Sequence, residues 1–157
     1  QYSPLFLSDL TKPIIEGKYD FMFGNRITSR ESALKGGMPK FRYYTNRFFC
    51  VLQNILFGVN FSEYFSGFRA YSAKLLMTVP FEKFSNDFLF DQHMTISALS
   101  YKFRIGEIPI PTRYDEKSSS MSIKEGVKFI FETFKTLLIF ELHKIGFIKS
   151  SLFAPKK

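Results

Sequence analysis

Six cationic side chains in loop or glycine-rich settings are the residues of this sequence best suited to chemistry. They are Arg26, Arg30, Arg42, Arg69, Arg113 and Lys117. A guanidinium matches a phosphate group through two parallel hydrogen bonds, so several converging arginines would bind a phosphate or a diphosphate. The clearest instance is residues 103–121, where an alternating strand pattern runs into a polar loop that carries Arg113, Lys117 and Ser118. This stretch predicts an anion site.

Other kinds of chemistry have weak support in the sequence. It contains no Ser/His/Asp arrangement, Walker loop or dinucleotide fingerprint. Asp87 and Asp91 lie four residues apart and could form a carboxylate pair on one helix face. No further acid accompanies them, so we interpret them as negative charges that a helix N-terminus favours. His93 has no cysteine or second histidine at ligand spacing, which disfavours a metal role. The single cysteine, Cys50, cannot form an internal disulfide and favours a reducing compartment.

Length and charge narrow the class of protein. The chain of 157 residues is long enough for one domain with a real core. Its net charge of +8 suits phosphates or an anionic membrane surface. The basic residues are scattered and no nucleic-acid-binding motif is present, so we expect no nucleic acid partner. No apolar run reaches the roughly 18 residues that a membrane span requires.

Helical and strand patterns alternate along the chain, which predicts an α/β fold. The predicted strands are residues 19–23, 67–71 and 104–110. The predicted helices are residues 3–17, 41–57, 72–80, 88–101 and 122–143. Residues 26–40 read as a loop, and residues 148–157 as a frayed or linker-like tail after a domain of residues 1–147.

The helices predicted at 41–57 and 122–143 have apolar faces wider than one core-facing stripe requires. Each helix could pack into a core with its basic residues at the margins. Alternatively, the surplus apolar face could lie in a membrane interface or meet a second chain. Periodicity does not choose between these interpretations.

Four segments give the sequence a family resemblance. In order they are YDFMFGNR at 19–26, SGFRAYS at 66–72, NDFLFDQ at 86–92, and RIGEIPIPTRY at 104–114 followed by EKSS at 116–119. Together they resemble the later half of family 2 glycosyltransferases of the dolichyl-phosphate mannose/glucose synthase type, over residues 1 to about 140. The resemblance implies the C-terminal half of a GT-A type, Rossmann-like domain: a mixed sheet with flanking helices. It also implies inverting transfer of a sugar from a nucleotide sugar to a polyprenyl or dolichyl phosphate.

The same resemblance implies that part of the site lies elsewhere. Gln1-Tyr2-Ser3-Pro4 resembles the continuation of an Asp-X-Asp motif whose acids bind Mg²⁺ or Mn²⁺, so those acids would precede residue 1. Gln1 would then touch the metal or the donor. We therefore expect this chain to hold the acceptor-side half of the enzyme. An inactive, truncated interaction module is the alternative.

Site residues follow from the resemblance position by position. Arg26 and Arg42 would hold the acceptor phosphate or sugar, and Arg113, with Lys117 and Ser118, would close on the diphosphate. In related transferases that act on hydroxyls, a catalytic acid lies near the start of the helix that contains Asp91 and Gln92 here. Gln92 in that position fits a phosphate acceptor, whereas Asp91 leaves a hydroxyl acceptor open.

Glu63 stands where many relatives carry Asp, and its role stays open.

The resemblance also implies a cellular location. A lipid-phosphate acceptor implies a peripheral enzyme of glycan or cell-wall biosynthesis on the cytoplasmic face of a membrane. Its partners would be a nucleotide sugar and the lipid. The resemblance also allows an oligomer or a membrane-anchoring segment outside the chain.

Overall fold

The computed structural model describes residues 2–111 and 122–154. Contacts divide the chain into two compact units, residues 1–71 with 104–118 and residues 72–103 with 119–157. We call them the sheet unit and the helical unit. The boundary predicted at residue 147 stays a prediction.

In its described residues, the sheet unit contains three strands and three helices. Its strands are β1 (Phe21–Asn25), β2 (Arg69–Tyr71) and β3 (Ile105–Pro109). Its helices are α1 (Leu7–Ile15), which follows a 3-10 turn at Pro4–Phe6, α2 (Arg30–Lys35) and α3 (Lys40–Phe57).

The three strands form a mixed sheet in the order β2-β1-β3. β1 runs antiparallel to β2, with Phe21 opposite Tyr71, and parallel to β3, with Phe21 opposite Ile105. Every residue of β1 is buried, because this strand is covered on both edges and both faces. The α/β class and the mixed sheet are confirmed; the GT-A assignment stays a prediction.

Residues 26–40, predicted as a loop, contain the short helix α2. Ser29 caps it, since its side chain accepts a hydrogen bond from Ser32 N at 3.0 Å and Ser32 Oγ accepts from Ser29 N at 3.2 Å. Lys35 pairs with Glu31 one turn away. The loop prediction was wrong here because the glycines and proline that follow, at positions 36–39, masked a reciprocal serine cap.

Helix α3 matches its prediction closely. It ends at Gly58, whose φ of +66° is the left-handed conformation that glycine adopts at helix C-termini. Its inward face carries Tyr43, Asn46, Phe49, Cys50 and Gln53.

The helical unit contains α4 (Ala73–Thr78), a 3-10 turn (Phe81–Lys83), α5 (Phe90–Ser100) and α6 (Ile123–Lys144). α5 is buried continuously from Gln92 to Ala98. α6 begins with a capping box between Ser122 and Glu125, which explains the start that the sequence predicted.

The segment after α6 packs on the helical unit up to residue 154. Phe153 is buried against Phe140, with ring centroids 5.3 Å apart. The Tyr101 hydroxyl donates to the Phe153 carbonyl at 2.6 Å, and Ser97 Oγ donates to the Leu152 carbonyl at 3.3 Å. The prediction of a frayed tail is therefore wrong for residues 148–154, because one large aromatic anchors them.

Candidate functional site

Glu63 is the centre of the buried polar interior of the sheet unit, and its side chain is 0% exposed. Arg26 donates to it three times: from the backbone N to Oε2 at 2.8 Å, from Nε to Oε1 at 2.8 Å, and from Nη2 to Oε1. Asn46 Nδ2 donates to the same Oε1 at 3.1 Å. A buried carboxylate is tolerated when it is paired and hydrogen-bonded, and the Arg26 side chain, 10% exposed, supplies the compensating charge.

The three residues of this buried cluster come from different parts of the sheet unit. Arg26 directly follows β1, Asn46 lies on the inward face of α3, and Glu63 lies on the connection between α3 and β2. We call residues 59–68 the Glu63 loop.

Basic side chains hold the backbone of the Glu63 loop. Arg26 Nη2 donates to the Phe65 carbonyl at 3.0 Å, Arg47 Nη1 to the Ser62 carbonyl at 2.8 Å, and Arg69 Nη2 to the Tyr64 carbonyl at 2.6 Å. These bonds satisfy carbonyl groups of an irregular segment. Arg69, one of the six candidate cations, is thus a structural contact of this loop.

Acidic and amide side chains complete the anchoring of the loop. Glu107 on β3 accepts from Ser62 N at 3.0 Å and from Ser62 Oγ at 2.7 Å. Asn54 on α3 pairs with the Phe61 backbone in both directions, at 2.9 and 3.0 Å, and also accepts from the Tyr64 hydroxyl at 2.8 Å. Burial raises the pKa of Tyr64, so that hydroxyl remains a donor.

Cys50 belongs to the same framework. Its Sγ lies 2.9 Å from the Phe61 carbonyl, to which the thiol donates. Burial raises the pKa of the Cys50 thiol to about 11. The group therefore stays protonated at neutral pH and is no nucleophile there.

The predicted site residues of the sheet unit divide into two groups. Arg26 is bound to Glu63, and Arg42 lies one turn before Asn46, on the same side of α3. Gln1, Arg113, Lys117 and Ser118 lie outside the described residues. The roles assigned to all six in phosphate or metal binding stay predictions.

The predicted acid–base candidates lie in the helical unit, at the start of α5. Asp91 is half-buried, whereas Gln92 is 1% exposed. Both residues therefore sit on the helix turn that the resemblance indicates. Neither has a tested catalytic role.

Sequence reasoning left open or missed three residues of this site: Glu63, Asn46 and Glu107. The available signal was a polar residue on an otherwise apolar, inward helix face, since Asn46 shares its face with Tyr43, Phe49 and Cys50. For Glu63 and Glu107 no local signal exists, because their partners lie 37 and 45 residues away in sequence.

His93 is a buried group of the helical unit. Its Nδ1 accepts from Ser85 N at 3.3 Å, and its Nε2 lies 3.3 Å from Thr136 Oγ1 on α6. Burial lowers the pKa of His93 to about 4, against a smaller opposite effect from Asp87. His93 is therefore neutral at physiological pH and joins α5 to α6.

Within the described ranges, no three His, Cys, Asp or Glu side chains are grouped as a metal site requires.

Both long helices present apolar stripes to solvent. On α3 the exposed residues repeat at three- and four-residue intervals: Phe41, Tyr44, Phe48, Val51 and Ile55. On α6 they are Val127, Phe131, Phe134 and Leu138. Among the helices of the described part of the chain, none combines the length and apolar character needed to cross a bilayer.

Comparisons with known proteins show a similarity to a glycosyltransferase. No protein-family model matches the chain, and no solved structure matches it. The UDP-N-acetylglucosamine–dolichyl-phosphate N-acetylglucosaminyltransferase of Methanococcus voltae is 26% identical over 145 residues, which are 92% of this chain and 56% of that protein. The chain thus spans about half the length of this relative. The similarity supports a glycosyltransferase relationship for the chain.

Proposed function

We propose that this chain is the acceptor-side half of an inverting, membrane-surface glycosyltransferase that moves a sugar from a nucleotide sugar to a polyprenyl or dolichyl phosphate. The observation that carries the proposal is the similarity, over 92% of the chain, to an archaeal enzyme whose name states a UDP-sugar donor and a dolichyl-phosphate acceptor. A GT-A type fold is part of the proposal, and the mixed α/β sheet is compatible with it.

The proposed reaction is a single displacement at the anomeric carbon of the donor. A phosphate oxygen of the acceptor forms the new carbon–oxygen bond, and the bond to the nucleoside diphosphate breaks, so the configuration inverts. A phosphate monoester with a second pKa of about 6 is largely dianionic at neutral pH. It needs cations to hold it and no general base to deprotonate it.

Cations of the sheet unit would perform that holding. Arg26 has its orientation set by Glu63, which also neutralises part of its charge. Arg42 projects from the same side of α3 as Asn46 and is the better candidate for direct phosphate contact. We assign Arg113, Lys117 and Ser118 to the diphosphate, as the resemblance implies.

A divalent metal would stabilise the charge of the leaving diphosphate. The described residues offer no cluster of ligands that fits Mg²⁺ or Mn²⁺. The proposal therefore places the ligating acids outside them, with Gln1 near the metal or donor.

Attachment to a membrane surface would bring the lipid headgroup within reach. The exposed apolar stripe of α3 lies on a helix that also carries Arg42 and Arg47, and the whole chain has a net charge of +8. Aromatic and aliphatic side chains beside cations are typical of helices that lie in the interface plane of anionic bilayers. We propose the cytoplasmic face as the location.

A hydroxyl acceptor is the second candidate. The observation that favours it is the partial exposure of Asp91 beside the buried Gln92. A half-exposed carboxylate at the start of α5 could act as the base that a sugar hydroxyl requires.

A transfer assay separates these proposals. The protein, expressed from its native gene with any residues that precede Gln1, is given labelled UDP-N-acetylglucosamine and vesicles that contain dolichyl phosphate. We expect label in the lipid, and a loss of about tenfold or more in Arg42→Gln, because a hydrogen bond between charged groups is lost. The control Lys12→Gln, a surface cation on α1, should transfer normally.

Other outcomes of this assay would change the proposed acceptor, change the role of Arg113 or contradict the proposed activity. Transfer to free sugars, abolished in Asp91→Asn, would favour the hydroxyl acceptor. Loss of transfer in Arg113→Ala with donor hydrolysis retained would move Arg113 from the diphosphate to the acceptor. Absence of both donor binding and transfer would leave an interaction module.

A further inference from the structure

A polar cleft of about 240 Å³ lies between α2, α3 and the Glu63 loop, wholly within the sheet unit. One water requires about 10–15 Å³ of such space, so the cleft has room for a larger group. Its lining residues are Ile27, Thr28, Ser29, Arg30, Tyr43, Arg47 and Ser62. We call it the α2–α3 cleft.

The lining of the α2–α3 cleft has two guanidinium groups and no carboxylate. Acidic side chains of α2, of the Glu63 loop and of β3 are already engaged: Glu31 with Lys35, Glu63 with Arg26, and Glu107 with Ser62. The cleft therefore carries positive charge that its surroundings do not cancel, which favours an anion.

Two hydrogen-bond donors in the cleft have no acceptor among the described residues. Across residues 2–111 and 122–154, the Arg30 guanidinium has no hydrogen-bond acceptor and lies over the Tyr44 ring at 5.8 Å. The Tyr43 hydroxyl likewise has no partner among those residues, although Tyr43 is only 9% exposed. The Tyr43 hydroxyl oxygen reaches solvent, so it can donate a hydrogen bond to a ligand in the cleft.

The third donor of the cleft is held in place by the loop. Arg47 gives Nη1 to the Ser62 carbonyl at 2.8 Å, and its other donors remain for a ligand. Glu107 fixes Ser62 in turn. This anchoring lowers the entropy cost of binding, because Arg47 is oriented beforehand.

We propose that the α2–α3 cleft binds a phosphoryl group through Arg30, Arg47 and Tyr43. Two guanidiniums and a phenol match the several oxygens of a phosphate monoester better than the two oxygens of a carboxylate. The site adds residues that the resemblance does not assign, since that assignment names Arg26, Arg42 and Arg113. The inference rests on the proposed function only for the source of the phosphate, a lipid phosphate.

The test is a binding titration that needs no sugar transfer. Inorganic phosphate and dimethylallyl phosphate are titrated separately into the full chain and followed by calorimetry. We expect saturable binding of both, weakened about tenfold in Arg30→Gln and about threefold in Tyr43→Phe, through lost charged and neutral hydrogen bonds respectively. Lys12→Gln is the control, because it removes an exposed cation of α1 that does not line the cleft, and this variant should bind as the wild type does.

A second arm identifies the source of the phosphate. Vesicles that contain a polyprenyl phosphate should compete with dimethylallyl phosphate in the wild type, and vesicles without it should not. Competition by both kinds of vesicle, or by neither, would overturn the assignment to a lipid phosphate.

The outcomes distinguish this site from the proposed function. No saturable binding, or equal binding by the wild type and Arg30→Gln, would overturn the phosphoryl site even if transfer is observed. Cleft-dependent binding without any transfer would support the site while the proposed function fails. Circular dichroism and thermal unfolding of Arg30→Gln should match the wild type, because Arg30 donates no hydrogen bond within the described part of the chain.

Discussion

Glu63 in the sheet unit and His93 in the helical unit are both buried ionisable side chains, and their burial is compensated in opposite ways. Glu63 in the sheet unit is surrounded by the Arg26 guanidinium, the Arg26 backbone N–H and Asn46. His93 in the helical unit, 5% exposed, accepts one hydrogen bond from Ser85 N and packs on the edge of Phe84. The sheet unit pairs its charge, whereas the helical unit keeps its group neutral.

The contrast between Glu63 and His93 indicates which unit can support electrostatic interactions with a ligand. Desolvation penalises a charged group in either unit. The Arg26–Glu63 pair keeps opposite charges in the interior of the sheet unit, beside the Glu63 loop, which also orients Arg47. This contrast supports our proposal that anions bind in the sheet unit, whereas His93 is a contact between α5 and α6.

The largest expected effect comes from breaking the Arg26–Glu63 pair. Glu63→Gln leaves the Arg26 guanidinium buried without its counter-charge and should lower the free energy of unfolding by about 3–5 kcal/mol. Urea unfolding measures this change. Glu16→Gln, which removes an exposed carboxylate paired with Lys18, should leave the midpoint unchanged. A loss in Glu63→Gln no larger than that of this control would show that the pair is not compensating a buried charge.

The second effect concerns His93 and pH. Its folded pKa of about 4 lies below the ordinary 6.5, so between these values the unfolded chain binds more protons than the folded one. Stability should consequently fall as the pH falls through this window, by up to about 1.4 kcal/mol per pH unit. Unfolding measured from pH 7 to pH 5 tests the slope.

His93→Gln should flatten this slope, because its amide does not titrate. The matched control is His143→Gln, which removes the other histidine and leaves His93 in place, so it should retain the loss of stability. Identical slopes for the wild type and His93→Gln would contradict the assignment of a neutral, buried imidazole.

The smallest effect separates loop anchoring from charge pairing in the sheet unit. Ser62→Ala removes the hydroxyl donor to Glu107 and keeps the bond from the Ser62 backbone N–H. We expect a loss of about 1–2 kcal/mol in the free energy of unfolding, typical of one hydrogen bond to a charged group. Thermal unfolding checks this against Ser8→Ala, an exposed serine on α1. A loss as large as that of Glu63→Gln would mean that anchoring of the loop contributes as much to stability as the Arg26–Glu63 charge pair.

Local signals predicted most of the helices and strands. The apolar period and the glycine at its end predicted α3 to within one residue, and Ser122 marked the start of α6. The errors at α2 and at residues 148–154 share one cause. In both places a short segment owes its order to a few specific contacts, a serine cap and one buried phenylalanine, that periodicity does not register.

The α/β class, the surplus of cations and the order of the four family-like segments depend on residue types and short spacings, and they are therefore evident before the chain is folded. The folded structure was needed to see which cations have a carboxylate partner and which have none among the described residues. Arg26 meets its carboxylate 37 residues away, while Arg30 has no acceptor among the described residues. Desolvation and charge pairing act through space, so the availability of a charged side chain depends on partners that folding brings together.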